Sequence, residues 1–178
     1  MAWTVLSSVL FWVHAAVAYL VYRGISGGPT DRCDDVPIFA LFGGALLPDL
    51  VDKPLAFVLP SLPSRSVAHS VFTAALVVLI VFYVTKHRDR WGVGAAYALG
   101  YGSHLAADLV DYLFVPEETL LFLFWPVVTD YHHVETVGDL LALLSPTPYV
   151  LGQTVVTILG LWLWMADGMP GYPSTHRQ

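Results

Sequence analysis

Residues 91–115 read WGVGAAYALGYGSHLAADLVDYLFV, and the class of fold turns on them. A helix rises about 1.5 Å per residue, so this stretch can cross the ~30 Å hydrocarbon core of a bilayer. Its only ionisable side chains apart from tyrosine are His104, Asp108 and Asp111. His104 and Asp108 are four residues apart and share a helix face. Small neighbours such as Gly100, Gly102, Ala106 and Ala107 let other helices approach closely. An ionisable group near the bilayer centre costs about 2.5–3.5 kcal/mol on insertion scales, so each needs a partner and marks a functional position. The stretch reads as a transmembrane helix with one chemically active face.

Three further apolar stretches are long enough to span: residues 3–22, 66–85 and 147–166. A fifth, residues 36–50, covers only about 22 Å and is bounded by Pro48 and Pro54. It either stops inside the membrane or continues, broken, through residues 55–59. Residues 119–129 form a short run rich in Phe with Trp125, the length of a re-entrant or interfacial segment. Residues 2–22 lack a basic start, contain His14 and are followed by Arg23, so they read as a retained helix rather than a cleaved signal.

Composition agrees. The 178 residues are 56% hydrophobic and only 12% charged, and mean hydropathy is +0.64. A soluble domain carries about 25% charge. The expected fold is all-α: a polytopic transmembrane helix bundle of about five spans plus the short 119–129 segment. Residues 1–168 form one domain, and 169–178 a polar tail. The net charge of −6, with no basic stripe, excludes nucleic acid as a partner. The partner is the lipid bilayer of the cell membrane; oligomeric state is left open. The single cysteine, Cys33, cannot form an internal disulfide.

Basic residues orient the chain. With the N-terminus outside and five spans, Arg23, Arg32, Lys86, Arg88, Arg90 and Arg177 lie inside, and Lys53 and Arg65 outside. The C-terminus is then inside. Under this topology three polar groupings reach the same outer leaflet: Asp49 with Asp52, Arg65 with His69, and His104 with Asp108. His14 fits less easily. It lies ~16 Å along its helix, near the midplane, whereas His104 is ~9 Å from its outer helix end. Tilted helices, or a first helix that begins higher, would bring them together.

Taken singly, these residues have ordinary explanations: His14 as a packing histidine, Asp52 as a solvated acid beside Lys53, Arg65 as an interfacial cation with its charge in water. Together they form a candidate metal site of His14, Asp49, His69, His104 and Asp108, with Asp52 as ligand or general base and Arg65 as an anion-binding group. Mixed His and Asp donors suit a divalent ion, zinc first, manganese or iron next. Three histidines and three aspartates exceed a four-coordinate zinc shell. That leaves two metals, or one metal with outer carboxylates orienting the histidines.

The pattern resembles the membrane-bound metal-dependent hydrolases related to the LexA-regulated YdjM protein. The resemblance rests on His14, on Leu46-Leu47-Pro48-Asp49-Leu50-Val51-Asp52, on Ser64-Arg65-Ser66-Val67-Ala68-His69-Ser70, and on Ser103-His104-Leu105-Ala106-Ala107-Asp108. These occur in the family's order over roughly residues 10 to 130. Ser64 stands where the family has a first His, and Ala68 where it has Thr. The Leu50-Val51-Asp52-Lys53-Pro54 variant and the acidic loops resemble haloarchaeal members.

The resemblance implies hydrolysis, and the membrane setting suggests a lipid or membrane-associated ester or phosphoester. The alternative is a metal-ion or proton transporter using the same cluster. Ser64-Arg65 and His104-x-x-x-Asp108 are also similar to pieces of phosphatidic-acid-type lipid phosphatases. There they share one motif; here they lie on separate helices. His132, His133 and Asp130 are expected as a loop that caps the site or is simply exposed.

Overall fold

The computed structural model describes residues 9–26, 35–59, 61–114, 119–130 and 147–172. Among them the chain is entirely helical: α1 (Phe11–Ser26), α2 (Asp35–Val58), α3 (Val71–Lys86), α4 (Trp91–Phe114), a 3-10 helix (Leu120–Phe124) and α5 (Pro148–Ala166).

Two boundaries differ from the sequence reading for identifiable reasons. α2 does not stop or break at its prolines; it runs 24 residues with Pro48 and Pro54 inside. A proline removes one donor and loosens the turn before it, but in a membrane helix neighbouring helices can re-satisfy the freed groups. The carbonyl that Pro48 leaves without a donor is that of Gly44; at the next residue His104 Nδ1 lies 2.6 Å from the Ala45 carbonyl, so α4 grips this turn. α3 begins at Val71, not near residue 66. Ser70 caps it, accepting from Phe72 N at 3.2 Å, and the backbone before it is diverted into the site described below. The 3-10 helix occupies the short Phe-rich run, and the expected loop residues His132 and His133 lie outside the described residues.

α4 is the organising element: α1, α2 and α3 all pack on it, while α5 packs on α1. The tightest seam joins α2 to α4. A Cβ on Gly44 would overlap the carbonyl of Tyr97, and one on Gly100 would overlap the carbonyl of Leu41. Backbones that close require glycine. Ala18, Tyr19, Ile38, Leu41, Ala45 and Ala96 form one buried cluster between α1, α2 and α4. Ala74, Tyr97 and Tyr101 form another between α3 and α4. Successive helices run in alternating directions, so the start of α1, the end of α2, the start of α3, the end of α4 and the start of α5 share one end of the molecule.

Outward surfaces are apolar. Leu79 of α3 is 67% exposed and Phe57 of α2 88%. Among the described residues α5 alone is both long and apolar enough to cross a membrane; α3 is apolar but has 16 residues.

Candidate metal centre

His69 is positioned first. It lies in the turn ahead of α3, where Asp52 collects the chain. The Asp52 carboxylate accepts from Ser66 N (2.8 Å), Ala68 N (2.9 and 3.0 Å) and His69 N (3.1 Å). Its Oδ2 also lies 2.8 Å from His69 Nδ1. Tyr101 Oη donates to the Ala68 carbonyl at 2.5 Å, fastening the same turn to α4. One acid on α2 thus orders three backbone donors and one imidazole. A buried carboxylate needs such donors, because desolvation without them is prohibitive.

His104 is fixed from the other side. Gly100, one turn before it, lets α2 come close enough for the Ala45 carbonyl to meet His104 Nδ1. In both rings Nδ1 therefore faces an oxygen that can only accept. A neutral ring then carries its proton on Nδ1 and presents a lone pair at Nε2. The two Nε2 atoms stand 3.1 Å apart.

Carboxylates gather around them. His69 Nε2 is 3.3 Å from Asp108 Oδ2 and 3.6 Å from Asp49 Oδ1. His104 Nε2 is 3.3 Å from Asp108 Oδ2. His14 stacks on His104, ring centroids 3.8 Å apart. Its Nε2 faces the opposite oxygens of the same two acids, 3.8 Å from Asp49 Oδ2 and 3.7 Å from Asp108 Oδ1. Asp49 Oδ2, Asp108 Oδ2 and His14 Nδ1 have no hydrogen-bond partner, although all are buried.

The depth tension of His14 disappears because α1 begins at Phe11, eight residues after the start of the span that the sequence suggests. Leu10 N, at that start, donates to Gln153 Oε1 of α5 at 2.8 Å. His14 is therefore close to its helix end, and α4 reaches it along its length.

The candidate metal ligands, Asp52 and Arg65 all reach one buried cluster: His14, Asp49, Asp52, Arg65, His69, His104 and Asp108 are at most 5% exposed. Arg65 is not at an open interface. Its Nη2 lies 3.1 Å from Asp108 Oδ1, and its guanidinium sits 5.6 Å from the Phe122 ring centroid. Lys53 Nζ is 3.4 Å from Asp49 Oδ1. Asp130 is exposed, and the Asp111 side chain lies outside the described residues.

Sequence reasoning missed Tyr101, Ser70 and Phe122. Phe122 is buried and meets His69 edge-on at 6.2 Å. Ser70 Oγ donates to the Trp125 carbonyl, tying the 3-10 segment over the site. The only sequence signal for that closure is the clustering of Phe residues just before Trp125.

Two overlapping groups could hold an ion: His14, His104 and Asp108, and Asp49, His69 and His104. Donors around a metal at ~2.1 Å stand roughly 3–3.5 Å apart; around His69 Nε2 they lie at 3.1, 3.3 and 3.6 Å. Charge points the same way. With the histidines neutral, Asp49, Asp52 and Asp108 outnumber the cations Lys53 and Arg65, three against two, an excess that a metal ion or a histidine proton would offset.

A family described as YdjM inner membrane protein matches residues 10–167, nearly all of the chain and all of this cluster. No curated protein and no solved structure matches.

Proposed function

The chain belongs to the YdjM inner membrane protein family, and on that premise we propose that it is a membrane-embedded metal-dependent hydrolase acting on a lipid or membrane-associated ester, phosphoesters included. The observation that carries the reading is the pair of Nε2 lone pairs, 3.1 Å apart and each 3.3 Å from Asp108 Oδ2, a buried oxygen without a hydrogen-bond partner. Two lone pairs at that distance repel unless a cation meets them. A shared proton would satisfy the two nitrogens alone; a divalent ion satisfies the oxygens as well.

His69, His104, Asp49 and Asp108 would hold the ion, zinc preferred and manganese or iron suitable, with His14 as the fifth donor within reach. When bound, such an ion lowers the pKa of a coordinated water towards 7 and polarises the scissile phosphoryl or carbonyl group. The remaining work falls to the protein. Asp52 spends its oxygens on three N–H groups and on His69, which supports an orienting role over that of a general base. Arg65 holds Asp108 in place and brings a fixed positive charge to the oxygen farther from His69. That charge stands where a second ion would compete, so one metal is favoured over two. Phe122 keeps water out, which strengthens every charge interaction inside.

The helices would form five spans with the N-terminus outside. The exposed apolar flanks of α3 and α5 support lipid contact on both. The competing reading is a cation or proton carrier, favoured by the same buried acids. It gains nothing from α2, which is continuous through its prolines, whereas transporter sites often use interrupted helices.

Purified protein in detergent should contain about one zinc, manganese or iron ion per chain, lost in His69→Ala and in His104→Asn. Hydrolysis of extracted membrane lipids should stop on chelation and return with zinc. Normal metal content in both variants would sink the site. Ion flux in liposomes with no hydrolysis would transfer the cluster to a carrier.

A further inference from the structure

A second feature lies behind the metal centre. α1, α4 and α5 border an open groove of about 790 Å³, inside the range of pockets that hold small ligands. Val13, Val17 and Val21 form its α1 wall, one residue per turn, with Val9 just ahead of the helix. Its few polar groups are already engaged. Ser103 Oγ donates to the Gly100 carbonyl at 2.8 Å, Gln153 Oε1 accepts from Leu10 N, and Tyr149 is also partnered. The lining therefore offers its polar atoms to the fold, and the occupant it suits is a hydrocarbon.

Length selects which hydrocarbon. Val13 to Val21 is eight residues, about 12 Å of helix, and Val9, two residues ahead of α1, lengthens the wall towards the ~15 Å of one leaflet. One leaflet of a ~30 Å hydrocarbon core is about 15 Å deep, the reach of a single acyl chain. α5, the membrane-length helix, forms one wall, so the groove lies at acyl-chain depth. Its residues also alternate with those of the metal site. Val13 precedes His14, Ser103 precedes His104, and Ala107 precedes Asp108. An acyl chain lying there would have its polar end at the level of the site, near the start of α1 and of α5.

We propose that this groove seats one acyl chain of a membrane phospholipid and so makes an acyl-bearing lipid the substrate class. It rests on the hydrolase reading for its functional meaning, but not for its test. Gly102 and Gly152 line the groove, and a Cβ at either meets nothing within 4 Å. Leucine there would grow into the groove without striking protein, and leucine is the better helix former.

The test uses a phospholipid with a diazirine at mid-chain, in phosphatidylglycerol and phosphatidylethanolamine vesicles holding the full-length protein. Photolabelling of the unaltered protein should map to residues 9–21, 98–110 and 148–156. Gly102→Leu and Gly152→Leu should lower that labelling at least tenfold while keeping their metal content. Labelling confined to the outer faces of α3 and α5 overturns the groove, whatever the variants do. So does undiminished labelling of these stretches in both folded variants, or conversion of a dimer to a monomer without loss of label. No turnover is needed: failure of hydrolysis with the label in the groove removes the enzyme reading alone. Hydrolysis with the label elsewhere removes the groove alone.

Discussion

Asp52 spends its carboxylate on the surrounding chain, and in the proposed metal site that makes it a support for a ligand. Both its oxygens are engaged by N–H groups of residues 66 to 69 and by His69 Nδ1. An acid on a metal-binding histidine fixes the tautomer and raises the basicity of the nitrogen that binds, and losing it typically costs 10–100-fold in metal affinity. Asp52→Asn keeps one acceptor for the backbone but no longer fixes the proton on Nδ1. Zinc affinity should fall by about that factor, and by less in Asp52→Glu; competition against a fluorescent chelator would measure it. Equal affinity in Asp52→Asn and the unaltered protein would reduce Asp52 to a turn former. From sequence, Asp52 was equally readable as ligand, base or solvated acid, because a position near the end of an apolar stretch fits all three. What decides among them is the path of the chain before α3, and three residue spacings cannot specify a path.

Helices convert those residues into one place. The α2–α4 seam depends on Gly100, whose missing side chain leaves room for the Leu41 carbonyl and Ala45 N where a Cβ would stand. Gly100→Ala gains up to ~1 kcal/mol of helix propensity. Against that stand a clash with backbone that cannot rotate away, typically 1–3 kcal/mol, and displacement of the Ala45 carbonyl from His104. Gly102→Ala meets open space and gains the propensity alone. Thermal unfolding in detergent should rank Gly102→Ala at or above the unaltered protein and Gly100→Ala below it; the reverse order would refute the seam. The existence of α4 and α5 was legible, because long uncharged runs have few alternatives in a membrane. The start of α3 was not. Residues 66–70 are as apolar and small as a helix start, and only Asp52, fourteen residues earlier at the nearest contact, draws their N–H groups out of a helix. The prolines misled in the opposite direction: as sequence they mark a break, whereas packing on α4 keeps α2 whole.

At the scale of the molecule, the end opposite the site is held by charge. Arg23 Nε and Nη2 reach Asp167 Oδ2 and Oδ1 at 2.6 and 3.0 Å, and Tyr19 Oη donates to the same acid at 2.8 Å. The pair joins the last turn of α1 to the end of α5. Arg23 holds the Asp167 carboxyl below the usual carboxylate range. Its stabilisation is therefore present above the unfolded value, about 3.9, and is lost as pH falls through the lower folded value. The unaltered protein should melt higher than Asp167→Asn at pH 7, with the gap closing below about pH 4; a gap independent of pH would mean that the acid's charge is not involved. The same end carries Arg23, Lys86, Arg88 and Arg90, while the site end carries Lys53 and Arg65. Arg65 is buried on Asp108, so it does not act as a free loop charge in setting orientation. The asymmetry of available basic residues is thus sharper in the structure than in the sequence. The positive-inside rule would then turn the Arg23 end to the cytoplasm, and the proposed topology would put the candidate metal centre in the outer half of the bundle. With Cys33 replaced by serine, cysteine at Ser61 should react with an impermeant maleimide on intact cells. Cysteine at Arg88 should react only after permeabilisation. Both positions are exposed, so reaction at Arg88 alone on intact cells would turn the whole bundle over and place the lipid chemistry on the inner leaflet.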